Sequence, residues 1–163
     1  MGSGRRYVPL LEVEGILGML HKVSLFGGLS DRQLYTVFRI LEGICYLKGE
    51  RIFQQGGQPE FIYIVRSGQV KMVMDIDFTP FELVAFGEGQ CFGESSLIGI
   101  QNHSATAFAT EDTDLLVLSN SALMEIFNKD KELYGILILN IAREACRRLH
   151  QCENVALHYA IGH

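Results

Sequence analysis

The chain has no tryptophan, only three prolines and only four cysteines in 163 residues, and these shortages close off several explanations. The cysteines, at 45, 91, 146 and 152, contain no C-x-x-C pair. Cys146 and Cys152 stand six residues apart, about 600° around a helix and so on different faces. Zinc or iron–sulfur ligation therefore has little support, and the thiols read as buried or half-buried free cysteines of a reducing compartment. A long apolar run is also missing: the longest, Leu133 to Leu139, is seven residues, against the ~20 a membrane helix needs. Arg5 and Arg6 precede apolar sequence as in a secretion signal, but Glu12 and Glu14 break what would be its apolar core. The expected location is cytoplasmic, with no membrane association. Positive charge is scarce as well. Fourteen Lys and Arg against nineteen Asp and Glu give a net charge of -5, which disfavours direct contact with nucleic acid.

What is present is a globular composition, 48% hydrophobic and 20% charged, of a length that suits one domain. Leu10, Leu11, Val13, Ile16, Leu17 and Leu20 step by helical intervals and predict an amphipathic first helix. A second helix is expected from Ser30, with Gln33 at the capping-box spacing, Leu34, Val37, Phe38 and Leu41 on one face, and Gly43 as its end.

From Gly43 to Gly99 the texture changes, with nine of the seventeen glycines in that stretch separating short segments rich in Ile, Val, Phe and Tyr. Strands are expected at Ile44 to Leu47, Arg51 to Gln54, Phe61 to Arg66, Val70 to Asp75 and Phe81 to Phe86, then at Ala105 to Ala109 and Asp114 to Leu118. Ser67 and Gly68 would turn one hairpin and Phe78 to Pro80 another. Such spacing suggests a sandwich or barrel closing on itself. Helical spacing returns in Ala122 to Phe127 and in a long segment from near Asp130. There Tyr134, Ile138, Ile141, Ala145, Leu149, Cys152, Ala156 and Tyr159 form a seam with coiled-coil steps. That seam fits either packing on the chain's own strands or pairing with a second copy; both hold if its first half packs inward and its second half pairs.

The most informative stretch, Gly87 to Thr106, reads G-E-G-Q-C-F-G-E-S-S-L-I-G-I-Q-N-H-S-A-T. Together with K-G-E-R-I-F-Q-Q-G at Lys48 to Gly56 and Y-I-V-R-S-G at Tyr63 to Gly68, it resembles the cyclic nucleotide-binding domain over roughly Leu25 to Leu149. The resemblance implies a mainly β fold with flanking helices: a β-roll or jelly-roll, the cupin-like double-stranded β-helix, with N-terminal helices and a long C-terminal one. The expected division is an N-terminal helical segment over 1–42, the roll over 43–119 and C-terminal helices over 120–163, all one domain. It also implies a phosphate-binding cassette, in which a short helix presents backbone N–H groups to a cyclic phosphate. By motif position, Gly93 would let the backbone approach the ligand and Glu94 would accept from a ribose 2′-hydroxyl. Ser95, Ser96 and Leu97 would start the short helix, and Ser104 and Ala105 would complete the cradle. Ser96 fits a helix-capping hydroxyl equally well.

The departure from the family pattern is His103, where the resemblance places a phosphate-binding arginine. No Lys or Arg occurs from Met72 to Asn128, while nine Asp and Glu do. His103 reads either as a partial substitute, protonated beside a bound anion, or as a neutral exposed loop residue. Arg143, Arg147 and Arg148 read as a solvated helix face, with a lid over the pocket as the alternative.

The function expected is a stand-alone regulatory sensor that binds a small ligand, a cyclic nucleotide (cAMP or cGMP) or another small molecule, and relays binding through its C-terminal helices. A homodimer through the last helix is expected, with the protein partner unknown. The alternative is a degenerate domain serving as a ligand-independent dimerisation scaffold. The 44 residues after Ser119 carry five basic and five acidic side chains, which leaves no room for a helix-turn-helix reader. Catalysis is not expected: the five histidines are scattered, and Ser95 lacks the flanking glycines of G-x-S-x-G.

Overall fold

A computed structural model describes residues 7–10 and 13–161, with side chains described for Tyr7, Leu10 and residues 15–153. In chain order it has β1 (Val8–Pro9), α1 (Val13–Leu20), a 3-10 turn (Ser24–Phe26), α2 (Asp31–Phe38), β2 (Glu42–Tyr46), β3 (Arg51–Phe53), β4 (Phe61–Ser67) and β5 (Val70–Ile76). Then come β6 (Thr79–Phe86), β7 (Cys91–Phe92), α3 (Glu94–Gly99), β8 (Thr106–Ala109), β9 (Thr113–Ser119), α4 (Asn120–Lys129) and α5 (Lys131–Ile161). The strands form two sheets, β1-β2-β9-β4-β7 and β3-β8-β5-β6, a mainly β sandwich or roll with flanking helices and a long C-terminal helix.

The alternating faces of β4 and β9 explain the two-sided core. Ile62, Ile64, Leu116 and Leu118 point to a cluster shared with the helices, including Leu20, Leu34, Leu123, Leu133 and Leu137. Their neighbours Tyr63, Val65, Leu115 and Val117 point the other way, into the roll, against Phe86, Phe92 and Ala107. A strand covered on both faces has no solvent side, so it reads as an unbroken apolar run.

Ser30 caps α2 as expected, with Gln33 closing the capping box, but the helix ends at Phe38 and Gly43 lies inside β2. Leu41 is already in the connection, where burial and not helix periodicity holds it in the core. The first helix is shorter than its apolar spacing: Leu10 precedes it, and Leu11 lies outside the described residues. The hairpin expected at Phe78 to Pro80 turns at Asp77 and Phe78, both at positive φ, while Thr79 and Pro80 belong to β6. Proline fits there because β6 is an edge strand. The two-residue strands β1 and β7 carry too little sequence for a period of two. Of the thiols, Cys91 alone is buried; Cys45, Cys146 and Cys152 are exposed, which corrects the expectation of buried or half-buried cysteines.

The seam on α5 divides. Leu133, Leu137 and Ile141 are fully covered, and Asn140 Nδ2 donates to the carbonyls of Leu25 and Gly27, at 3.0 and 2.8 Å. Beyond Ile141, Ala145, Leu149 and Cys152 are exposed. The side chains of Ala156 and Tyr159 lie outside the described residues. No helix among the described residues is long and apolar enough to cross a membrane.

Candidate ligand-binding site

The stretch from β7 to β8 is shaped by its backbone first. Gly93 has φ 82°, the left-handed region, and a Cβ there would sit 3.1 Å from both the Phe61 carbonyl oxygen and Tyr63 Cδ2. Only glycine meets both demands. It lets the chain turn from β7 straight into α3, whose first residue is Glu94. Gly93 is thereby the N-cap; Ser96 is the third helical residue, so the capping role considered for it is not realised. Ser95 is exposed, Ser96 half-buried and Leu97 buried.

The segment that follows is tied to the β3 end of the roll. Gly56 N–H donates to the His103 carbonyl at 2.8 Å, and His103 N–H to the Gly57 carbonyl at 2.9 Å. Gln101 N–H returns to the Ser96 carbonyl at 3.1 Å, which closes α3 onto the same segment. Ala105 is buried and Ser104 exposed. The seven residues that flank or form the expected cradle together with His103 thus fall on two connected pieces of backbone. Between them stands an aromatic wall, in which Phe53 lies 5.6 Å from Tyr63 and 6.0 Å from Phe92, with Tyr63 stacked on Phe92 at 5.1 Å.

Glu94 is 1% exposed. Its Oε1 accepts from Arg148 Nη1 at 2.5 Å, while Oε2 is buried without a hydrogen-bond partner. Burial pushes its carboxyl above the usual range, and the Arg148 guanidinium pulls it back. Burial likewise pushes the Cys91 thiol up to about 12, so it is uncharged at neutral pH.

His103 is not the exposed loop residue considered above. It is 3% exposed, and its ring stacks on Phe53 at 3.7 Å and 9°. Burial lowers its pKa, because a charged ring loses hydration there. At neutral pH it is a flat, neutral aromatic.

The three arginines of α5 separate. Arg143 bonds Asn140 Oδ1 at 3.3 Å on its own helix, and exposed Arg147 pairs with Glu144 at 2.8 Å. Arg148 departs from the solvated-face expectation. Besides Glu94 it reaches the Cys91 carbonyl through Nη2 at 2.5 Å, and its guanidinium lies 5.0 Å from the Phe86 ring centroid. The sequence signal was present in weak form, since Arg148 falls where a helix lying on the roll could carry a cation to a stretch that has none. The reach across 54 residues was not. Behind α3, a cleft of about 660 Å³ lined by Leu97, Ile98, Ile100, Met124, Tyr134 and Ile138 separates the cassette helix from α4 and α5. Among the residues whose side chains are described, no cluster of His, Cys, Asp and Glu suits a metal ion.

The comparisons with known proteins agree with this geometry. The family model for the cyclic nucleotide-binding domain matches residues 44–130. The cyclic AMP receptor protein of Thermus thermophilus is 29% identical over 130 residues, 79% of this chain and 58% of the receptor. The cAMP-dependent protein kinase type II regulatory subunit of Drosophila melanogaster is 30% identical over 92 residues, 56% of this chain and 24% of the subunit. This chain therefore spans less than two thirds of either relative. A solved cyclic nucleotide-binding domain from Methylobacillus flagellatus KT superposes with a TM-score of 0.80 at 22% identity, covering 90% of this chain and 83% of that one, a likeness of fold. On the match across more than half of its length, the chain belongs to the cyclic nucleotide-binding domain family.

Proposed function

We propose that this chain is a regulatory sensor: a small ligand of the cyclic nucleotide type, cAMP, cGMP or a close analogue, enters the roll beside Gly93–Leu97, and α5 carries the consequence to a partner surface. The observation that supports this best is Glu94, buried, with one oxygen held from α5 and the other without a donor. An unsatisfied buried polar group costs about 1–3 kcal/mol, and a ligand hydroxyl, in the family a ribose 2′-hydroxyl, removes that cost. Backbone N–H groups of Ser95 and Ser96, with Ser104 and Ala105, complete the cradle, while the Leu97 N–H closes the first turn of α3 on the Gly93 carbonyl at 3.2 Å. Because Arg148 belongs to α5, the pocket and the helix share one carboxylate. We take the roll over 43–119 and the helices over 120–163 as parts of one sensing unit, cytoplasmic and without catalysis, that pairs through the exposed second half of α5.

His103 stands where the family motif has arginine. Loss of a bidentate cation weakens phosphate binding by roughly 10- to 1,000-fold. Cyclic nucleotide affinity is then low at neutral pH. The test is hydrogen exchange over α5 with millimolar cAMP or cGMP, on the wild type and on His103→Arg. Altered exchange beyond Ile141 is expected, at lower ligand concentration in the variant; unchanged exchange in both proteins sinks the relay.

A second reading, the ligand-independent scaffold, is favoured by the stacking of His103 on Phe53, which spends the ring on packing. Under it the protein forms a dimer whose affinity no nucleotide alters, and neither protein binds cAMP.

A further inference from the structure

Two polar side chains at the site have unused hydrogen-bonding capacity although both are almost fully covered. Glu94 Oε2 is buried with no donor. His103 is 3% exposed and lies on Phe53 at 3.7 Å, but stacking engages the face of the ring and leaves its edge. Neither ring nitrogen of His103 makes a hydrogen bond to a described residue. Among those residues Glu94 Oε2 is the sole fully covered side-chain polar atom without a partner, so the unbonded imidazole nitrogens are not sealed off. Polar groups buried to this degree are ordinarily met by a partner.

The two groups ask for different things. An ionised carboxylate oxygen only accepts, so Oε2 calls for a donor. A neutral imidazole offers one N–H and one lone pair, either of which a hydroxyl can meet. A phosphate oxygen only accepts and brings a charge. Burial lowers the His103 pKa and keeps the ring neutral, no Lys or Arg occurs from Met72 to Asn128, and Arg148 is already committed to Glu94 and to the Cys91 carbonyl. An anion taken into such a place loses hydration and gains no ion pair.

Beside the site, the β5–β6 hairpin supplies an apolar shelf. Pairing sets Met72 against Val84 and Met74 against Phe81, on the strand face that carries Val70 into the core of the roll. Val84 and Phe81 are 43% and 50% exposed. Gln55 ties the end of β5 to this region: its side chain bonds both backbone groups of Asp75, and the next residue, Gly56, donates to the His103 carbonyl.

We propose that the wild-type pocket takes a neutral nucleoside in preference to a cyclic nucleotide: a ribose hydroxyl meets Glu94 Oε2, the free 5′-hydroxyl meets the edge of His103, and the base lies on the apolar shelf. This rests on the reading of the roll beside Gly93–Leu97 as a ligand site. Position 103 then selects the charge of the ligand, admitting a hydroxyl where an arginine would call for a phosphate.

The test is calorimetry at pH 8 on the wild type, His103→Arg, His103→Phe and His103→Leu, with adenosine, guanosine, their 5′-deoxy forms, cAMP and cGMP. The wild type is expected to bind adenosine or guanosine at least about tenfold more tightly than the matching cyclic nucleotide, and His103→Arg to reverse that order. Removing the 5′-hydroxyl should weaken nucleoside binding by the wild type about fivefold. His103→Phe, which keeps a ring against Phe53 but has no polar edge, should bind the nucleoside and its 5′-deoxy form equally, and His103→Leu gives the same reading should the Phe variant fail to fold. A cyclic nucleotide bound by the wild type as tightly as its nucleoside overturns the proposal, as does a 5′-deoxy form bound by the wild type as tightly as the full nucleoside. Absence of nucleoside binding overturns it too. If His103→Arg then binds cAMP or cGMP, the ligand site stands and only the selection by charge falls; if neither protein binds any of these ligands, the ligand site falls with it.

Discussion

The two ends of the stretch from β7 to β8 are held in different ways. On the α3 side, Gly93 keeps its left-handed turn and Glu94 keeps a buried, ion-paired carboxylate with an open oxygen. On the other side, the backbone of His103 still ties to Gly56 and Gly57, but its side chain has turned inward as a neutral ring against Phe53. Under the proposed function, Glu94 offers an acceptor for a hydroxyl at a cost in desolvation, and packing stands where a phosphate would call for a cation. One side is held by electrostatics reaching in from a distant helix, the other by aromatic contact within the roll.

The largest way to break this contrast is to remove the packing. Phe53→Ala deletes the ring that covers His103 and touches Tyr63 and Phe92, and should cost about 3 kcal/mol in denaturant unfolding. The freed imidazole should titrate closer to its ordinary value, readable by proton NMR. Gly93→Ala attacks the other side. A Cβ at φ 82° and 3.1 Å from a carbonyl oxygen should cost about 2 kcal/mol and abolish any ligand binding.

The pH dependence of stability separates the two sides further, because the slopes are opposite. His103 has its folded-state pKa lowered from 6.5, so the unfolded chain takes the proton first and stability falls as pH drops below about 6.5. Glu94 has its folded-state pKa raised from 4.5, so the folded chain takes that proton first. Its contribution improves as pH falls from above its raised folded value toward 4.5. His103→Phe should remove the first slope and Glu94→Gln the second, each measured as unfolding midpoint against pH; identical curves for both variants would contradict the contrast. The smallest effect should come from exposed Ser104→Ala, within about 0.5 kcal/mol.

Dimerisation tests a third region against the pair. The first half of α5 is pinned by Leu133, Leu137, Asn140 and Ile141, whereas Leu149 stands 59% exposed beyond it. Sedimentation at high micromolar concentration should give a dimer, weakened by Leu149→Glu. A monomer there contradicts pairing through this helix.

The glycine-punctuated strands, the Ser30 cap and the long last helix were legible because each is a local pattern: a period, a cap spacing or a turn residue. The turn into α3 was legible for the same reason, since the left-handed Gly93 and the helix start at Glu94 are adjacent in the chain. Gly43 misled because a glycine after a helical face reads as a terminator, yet pairing of β2 with β9 claims it. Phe78, 99% exposed at positive φ, occupies a turn position where glycine or asparagine would signal the tip, so the hairpin was placed one to two residues late. His103 and Arg148 were misjudged for one cause. Whether a polar side chain faces solvent or the interior depends on contacts across the sheet and across 54 residues of chain, which no local spacing encodes.

The central claim is that position 103 sets cyclic nucleotide affinity in a cassette otherwise intact. Calorimetry of cAMP on wild type and His103→Arg at pH 8, where the imidazole is neutral, tests it directly. Weak or undetectable binding by the wild type and at least about tenfold tighter binding by the variant is the result this account gives. Submicromolar binding by the wild type, equal to that of the variant, would contradict it.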